Sequence, residues 1–202
     1  MAMLVLAAAP VQASETGPSY ACERVAAGSI EALICQDPAL SRLDRRLADA
    51  HAAARRVAAN EHPPRLVAEQ RGWLKGRDEC WKRVDRRACV HEAYVRRIAA
   101  LQAHYRLVAS LGPVAYHCDG NPANEVVVTF FETEPSTLIA ERGDSVSLMY
   151  RLSEGDYRGR NEAFETAPWG ARIIWGHEAP AMRCREAAIT PVGTSGNGAA
   201  AP

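Results

Sequence analysis

Six side chains that can hydrogen-bond or ionise lie within eight consecutive positions in the second half of the chain. They are Ser153, Glu154, Asp156, Tyr157, Arg158 and Arg160, with Gly155 among them. A hydroxyl and an arginine can donate to the carboxylates of a bound molecule. Glu154 and Asp156 would act as an acid–base pair only if both faced one cleft. Because Glu-Gly-Asp is also favourable turn chemistry, an ordinary polar hairpin turn is the alternative interpretation.

Histidine and cysteine spacing argues against several other kinds of site. The six histidines are scattered without metal-ligand spacing, and Cys80 and Cys89 are too far apart for a CxxC redox or zinc motif. The chain has no nucleophile elbow, phosphate loop or dinucleotide-binding motif. We therefore expect no metal, no cofactor, no catalytic residues and no enzymatic activity.

The cysteines divide the chain into two parts. Four lie in an arginine-rich, helix-patterned first half and two bracket a β-patterned second half: Cys22, Cys35, Cys80, Cys89, then Cys118 and Cys184. An even number in each part is typical of small exported domains with their own disulfides. We predict domains at residues 20–108 and 113–187, with Cys118 paired to Cys184.

Charge is distributed unevenly between these parts. Residues 20–108 contain 17 Lys or Arg and 11 Asp or Glu, a net charge of +6, whereas residues 113–187 contain 7 and 12, a net charge of −5. The zero net charge of the whole chain argues against general nucleic-acid binding. The asymmetry indicates that the two halves prefer different partners.

Both termini have compositions unlike the rest of the chain. Residues 1–13 form an apolar run that ends in Val11-Gln12-Ala13, a pattern suited to signal-peptide cleavage. This predicts a periplasmic or secreted protein. No stretch approaches the roughly 20 apolar residues that a membrane-spanning helix needs. Residues 188–202 are rich in Gly, Ala and Pro, which predicts disorder.

Apolar spacing predicts helices in the first half. One stripe recurs at steps of three and four residues: Leu40, Leu43, Leu47, Ala50, Ala54 and Val57. Asp37 or Ser41 would cap this helix. After the break at residues 61–64, one helix runs towards Cys80 and another follows from Cys89. The predicted arrangement is an antiparallel helical hairpin.

Reversal near residue 61 would bring the four cysteines of this half to one end of the hairpin. Cys35 then lies opposite the stretch 80–89, and Cys22 reaches the same end. We therefore expect disulfide bridging across the hairpin, although four cysteines allow three pairings and the sequence does not choose among them. Trp73 and Trp81 are expected in the helical core.

Beyond residues 110–113, which we take as the domain boundary, the apolar period changes to two. The strand candidates are residues 125–131, 137–140, 146–150, 171–175 and 181–184. Short strands at this spacing predict a closed antiparallel barrel or a sandwich.

The first half contains an ordered set of cysteine, tryptophan and charged segments. They are Cys22, residues 31–35, residues 38–44, residues 69–74, Arg77-Asp78-Glu79-Cys80, Cys89 and Tyr94-Val95-Arg96-Arg97. In these segments the chain resembles the LprI-type N-terminal domain, a small exported helical module of bacteria. The family is named for a lysozyme-inhibiting lipoprotein, and the resemblance spans roughly residues 20–102.

The second half contains a different set of segments. They are Tyr116-His117-Cys118-Asp119-Gly120, the valine-rich strand, residues 146–150, residues 153–157, Ala171-Arg172-Ile173-Ile174-Trp175 and Cys184. Here the chain resembles the MliC type of c-type lysozyme inhibitor, which implies an antiparallel barrel of about eight strands. The predicted fold class is thus α + β, a disulfide-bridged helical hairpin followed by a small barrel.

In the MliC type, a loop reading Ser-x-Ser-Gly-Ala-Arg-Tyr enters the lysozyme cleft. Ser153 and Tyr157 align with its second serine and its tyrosine, while residues 154–156 replace Gly-Ala-Arg. The lysine of a second family contact corresponds to Ala167 here. Its positive charge would have to come from Arg158 or Arg160.

These resemblances imply an exported protein that binds c-type lysozyme by inserting a barrel loop into the active-site cleft. The implied contact loop is Ser153, Glu154, Gly155, Asp156, Tyr157, Arg158 and Arg160. The alternative is a non-inhibitory envelope module that binds another envelope protein or a cell-wall fragment. We expect a monomer or dimer that binds no nucleic acid and does not span a membrane.

Overall fold

The computed structural model describes residues 17–61 and 64–187, which fold into two compact units, one helical and one β. The predicted α + β fold class, a helical region followed by an antiparallel barrel, is confirmed. The predicted signal peptide at residues 1–13 and the predicted disordered tail at residues 188–202 lie outside the described residues.

Capping residues fix where the helices begin. The helical unit contains α1 (Ile30–Gln36), α2 (Pro38–Val57), α3 (Arg65–Asp78) and α4 (Arg86–His104). Asp37 caps α2 by accepting from the backbone N–H groups of Ala39 (2.8 Å) and Leu40 (3.1 Å). Pro38 occupies the first helical position, where its missing N–H costs nothing. None of the helices in the described ranges is long and apolar enough to cross a bilayer.

The core of the helical unit lies mainly between α2 and α4. α1 packs on α2, and α3 packs on α4. The largest fully buried side chains here are Ile34, Leu40, Leu66, Val90, Tyr94 and Leu101. The leucines of the α2 stripe therefore face the core as predicted, whereas Val57, at the end of the helix, is 62% exposed and does not. The main partner of α2 is α4, however, and not the helix that directly follows the break at residues 61–64.

A buried polar network crosses this core. The Tyr94 hydroxyl donates to Asp44 Oδ1 (2.8 Å) and accepts from Arg77 Nη1 (3.0 Å), while Arg77 Nη2 donates to Glu31 Oε1 (3.0 Å). Arg77 is only 4% exposed and Asp44 6%. Burial raises the pKa of Tyr94 above its usual range, so the hydroxyl keeps its proton and can donate to Asp44. Each charge in the network is compensated only while its partners are in place.

Two short-range disulfides cross-link the helical unit. Cys22 is bonded to Cys35, and Cys80 is bonded to Cys89. The expectation of bridging across the hairpin is therefore wrong. The turn Cys22–Arg24 is linked to the end of α1, and Cys80 and Cys89 flank the connection between α3 and α4, so each cysteine has a nearer partner in its own segment.

The two tryptophans of this unit have different environments. Trp73 packs edge-on against Tyr94, with ring centroids 5.2 Å apart. Trp81 is 56% exposed, so its predicted place in the core is wrong. In the turn Glu79–Lys82, Cys80 occupies the inward position and the next side chain points to solvent.

The β unit is a closed barrel in which every neighbouring pair of strands is antiparallel. Its strands are β1 (Ser110–Cys118), β2 (Asn121–Phe131), β3 (Thr137–Arg142), β4 (Ser145–Ser153), β5 (Asp156–Arg158), β6 (Glu162–Ala167), β7 (Gly170–Trp175) and β8 (Ala181–Glu186). Cys118 of β1 lies directly opposite Cys184 of β8, and the two are bonded. The bond therefore joins the two strands that close the barrel.

The barrel interior is filled by alternating inward-facing side chains. An aromatic cluster of edge-to-face pairs lies within it: Tyr116 with Phe164, and Phe130 with both Tyr157 and Phe164. Ring centroids in these pairs are 5.5 to 5.7 Å apart, the favoured range for such contacts.

The segment taken from the sequence as a domain boundary belongs to β1. Ser110 pairs with Phe131 and Leu111 with Phe130, and regular pairing resumes at Val114 after a bulge. Gly112 in this bulge has φ +109°, and an added Cβ would lie 2.8 Å from the Val128 carbonyl oxygen. The Gly-Pro pair that resembles a linker therefore forms a strand irregularity.

We expect Arg77→Ala to destabilise the helical unit strongly. The change removes the buried guanidinium and leaves the buried Tyr94 hydroxyl and the partly exposed Glu31 without this partner. Leaving such polar groups unsatisfied costs up to about 3 kcal/mol. Urea denaturation followed by circular dichroism at 222 nm would measure the loss. Arg71→Ala, an exposed position on the same helix, is the matched control. Equal denaturation midpoints for the two variants would contradict the role given to the network.

Candidate functional site

The predicted contact loop forms the tip of the hairpin that joins β4 to β5. Ser153 pairs with Asp156, so Glu154 and Gly155 are the two turn residues. Gly155 has φ +73°, a left-handed conformation that suits glycine. The Thr166 backbone N–H donates to the Gly155 carbonyl at 2.8 Å, which ties the tip to β6. The interpretation as a polar hairpin turn is therefore correct for the backbone.

The tip exposes an apolar side chain that the sequence analysis did not single out. Leu152 is 63% exposed, and Ser153 and Glu154 beside it are exposed too. Period-two alternation could have identified Leu152, because Met149 faces the core and Leu152 falls on the opposite face. The tip thus presents an exposed leucine beside an exposed serine.

Tyr157 does not belong to this exposed surface. Its ring is 9% exposed and packs in the barrel core, 5.7 Å from the Phe130 ring and 6.3 Å from the Phe164 ring. The tyrosine therefore anchors the hairpin to the barrel, and any contact with a partner falls to its neighbours in the turn.

Arg158 is held within an ion-paired group on the outside of the barrel. Its guanidinium contacts Glu165 Oε1 (2.6 Å) and Asp156 Oδ1 (3.2 Å), and Arg172 contacts Glu165 Oε2 (3.0 Å). Hydrogen bonds from Arg158 and Arg172 lower the pKa of Glu165. These pairs therefore stabilise the folded barrel above the unfolded pKa of Glu165, and the effect is lost as pH falls through the folded pKa.

Arg160 differs from Arg158 in its surroundings. It is exposed and makes no ion pair within residues 17–61 and 64–187. Of the two arginines that the sequence offers as positive contacts, Arg160 has the uncompensated charge.

The two carboxylates of the tip are not arranged for catalysis. Glu154 is exposed at the turn, and Asp156 is paired with Arg158. A catalytic acid needs burial or a facing carboxylate to raise its pKa. Within the described ranges, no group of three or more His, Cys, Asp or Glu is placed to hold a metal ion. The tip and its flank present Leu152, Ser153 and Glu154, together with Arg160, which has no ion-pair partner among the described residues.

The helical unit provides the evidence of relationship to known proteins. Its two disulfides and its buried network lie between Cys22 and Arg97. Residues 22–101 match the family model of lysozyme inhibitor LprI. The matched segment comprises 80 of the 202 residues. No curated protein and no solved structure matches the chain.

The segment that matches LprI includes residues that hold the helical unit together. Asp44, Arg77 and Tyr94 of the matched segment form the buried network, and the four cysteines form the two bonds. The barrel lies outside the match. Its eight antiparallel strands are consistent with the predicted MliC resemblance, which stays a prediction.

We expect Gly155→Ala to destabilise the barrel more than Gly143→Ala. Both glycines have positive φ, so each change costs about 1 kcal/mol from the backbone alone. An added Cβ at Gly155 would also collide with the Thr166 side chain, whereas the space around Gly143 is open. Overpacking of this kind adds about 1–3 kcal/mol.

Thermal unfolding followed by near-ultraviolet circular dichroism would measure the difference. Adding Thr166→Ala to Gly155→Ala removes the Thr166 hydroxyl from the path of the new Cβ. The unfolding temperature of this double variant should therefore be close to that of Gly143→Ala. If Gly155→Ala and Gly143→Ala unfold at the same temperature, Thr166 does not constrain the tip.

Proposed function

We propose that this protein is an exported lysozyme inhibitor that binds c-type lysozyme with the β4–β5 tip of its barrel. The LprI match over residues 22–101 is the observation that supports lysozyme as the partner. Three disulfides suit an oxidising, extracytoplasmic compartment. The exposed Leu152 and Ser153 support the tip as the contacting surface.

Charge supports the encounter between the two proteins. The barrel segment has a net charge of −5, and c-type lysozymes are usually basic. Opposite net charges raise association rates at low ionic strength. The LprI-matching segment is positive and would not contribute to this attraction.

The lysozyme cleft contains one protonated and one ionised carboxyl group. The Ser153 hydroxyl can hydrogen-bond to either, and Arg160 can pair with the ionised one. Glu154 opposes this arrangement, since a like charge near those carboxylates is unfavourable. Arg158 is not available in the same way, because Asp156 and Glu165 already neutralise it.

Residual lysozyme activity on bacterial cell walls is the direct test of inhibition. The full chain at large molar excess over a c-type lysozyme should suppress lysis. Full lysis under these conditions would end the proposal.

We expect Ser153→Ala to weaken lysozyme binding by about 1–2 kcal/mol, or roughly five- to thirtyfold, because a hydrogen bond to a charged group is lost. Titration calorimetry would measure the affinity. Ser145→Ala is the matched control, an exposed serine at the other end of β4. An unchanged affinity for Ser153→Ala would show that the hydroxyl is not a contact.

Removing the charge of Arg160 and removing that of Arg158 should have different effects. Arg160→Gln removes an uncompensated charge that would pair with a cleft carboxylate, so it should speed dissociation of the complex several-fold. Arg158→Gln removes a charge that is already paired, so its main effect should be on barrel stability. Stopped-flow dissociation kinetics and thermal unfolding would separate the two variants. The same dissociation rate for Arg160→Gln and the wild type would remove Arg160 from the contact surface.

The second candidate function is a non-inhibitory envelope module that binds another envelope protein or a cell-wall fragment. Two features favour it: Ala167 occupies the position of the family lysine, and Glu154 adds a negative charge to the tip. Pull-down from envelope extract distinguishes the two functions. A stable envelope partner together with full lysozyme activity would favour the module.

A further inference from the structure

A disulfide-closed loop in the helical unit presents apolar side chains to solvent. Every residue from Trp81 to Ala88 is exposed, between the bonded cysteines Cys80 and Cys89. Trp81 is 56% exposed and Val84 fully so. Trp81 and Val84 are three residues apart on this short loop, and exposed apolar patches often mark interaction sites.

The loop has a defined conformation. Cys80 is buried, and its carbonyl accepts from the backbone N–H of Arg83 at 3.0 Å. At the other end, Asp85 accepts from the backbone N–H of Ala88 at 2.8 Å and caps α4. The exposure of Trp81 and Val84 is thus set by the disulfide, the turn and the helix cap together.

The same loop is strongly basic. Between Cys80 and Cys89 there are four cations and one acid, a net charge of +3. Lys82 pairs with Glu79, and Arg87 contacts Asp37 at 2.6 Å. Arg83 and Arg86 make no ion pair within the described ranges. Two free cations therefore flank the exposed apolar side chains.

We propose that this loop binds the surface of a phospholipid bilayer that contains anionic headgroups. Trp81 and Val84 enter the headgroup region, where tryptophan is the favoured aromatic side chain, and Arg83 and Arg86 pair with lipid phosphates. A protruding apolar tip suits a deformable interface, and the +6 charge of the helical segment adds a general attraction to it. The loop is unsuited to a basic lysozyme, which its cations would repel. This surface activity is therefore separate from the proposed lysozyme contact.

Vesicle co-sedimentation of the full chain tests the proposal. Wild-type protein should sediment with vesicles of phosphatidylcholine and 30% phosphatidylglycerol, and much less with phosphatidylcholine alone. The double variant Arg83→Gln/Arg86→Gln should bind roughly twentyfold more weakly, about fivefold for each cation. Trp81→Ala/Val84→Ser should also bind at least tenfold more weakly. Val57→Ser and Arg56→Gln remove an exposed valine and an exposed arginine on α2 and should bind like the wild type.

Tryptophan fluorescence tests whether Trp81 enters the bilayer. Brominated lipids should quench part of the tryptophan emission of the wild type, and that quenched part should be missing in Trp81→Phe. Circular dichroism and a free-thiol assay would establish that each variant is folded with Cys80 and Cys89 bonded.

Three outcomes would overturn the proposal. The wild type could fail to bind the anionic vesicles, or the loop variants could bind them as well as the controls do. Alternatively, the loop variants could lose lysozyme affinity and keep vesicle binding, in which case the loop is a protein interface. Because inhibition is measured separately, loss of the lipid proposal leaves the lysozyme proposal standing.

Discussion

The pairing of β1 with β8 is the interaction on which the barrel depends. This pairing removes both free edges of the sheet. Cys118 and Cys184 are opposite each other in the register and bonded. A bond between residues 66 apart stabilises the folded state by roughly 4 kcal/mol through the entropy of the unfolded chain. β5 has only three residues, so its place between β4 and β6 requires a closed barrel around it. Leu152 and Ser153 are exposed at the end of β4, in the hairpin that β5 completes.

The helical unit is stabilised in a different way. Buried charges that compensate one another, and two short-range disulfides, join helices with a modest apolar core. The family match coincides with these structural residues. Trp81 and Val84, the exposed apolar residues of the proposed lipid contact, lie on the connection between α3 and α4. The β4–β5 tip is held by the hydrogen bond from Thr166 to Gly155, and the loop between Cys80 and Cys89 is held by its disulfide. The barrel segment has a net charge of −5, whereas the loop has a net charge of +3.

The sequence predicted the elements with strong periodicity. The leucine stripe identified α2, Asp37 was one of its two candidate caps, and the valine-rich run identified β2. β6 was not among the strand candidates, because Glu162–Ala167 is rich in residues that favour helices, and pairing with β5 and β7 overrides that preference. The disulfides of the helical unit could not be predicted, since the short turns that bring Cys22 to Cys35 and Cys80 to Cys89 depend on local backbone conformation. Burial of Tyr157 and pairing of Arg158 with Glu165 were also hidden from the sequence, because both depend on which strands become neighbours in the closed barrel.

Competition with a cleft ligand would show whether the barrel tip occupies the lysozyme cleft, as we propose. The full chain would be titrated into a c-type lysozyme by calorimetry at several concentrations of a chito-oligosaccharide that fills the cleft. We expect the apparent affinity to fall as the saccharide concentration rises. An affinity that the saccharide does not change, or no binding without it, would mean that the tip does not enter the cleft.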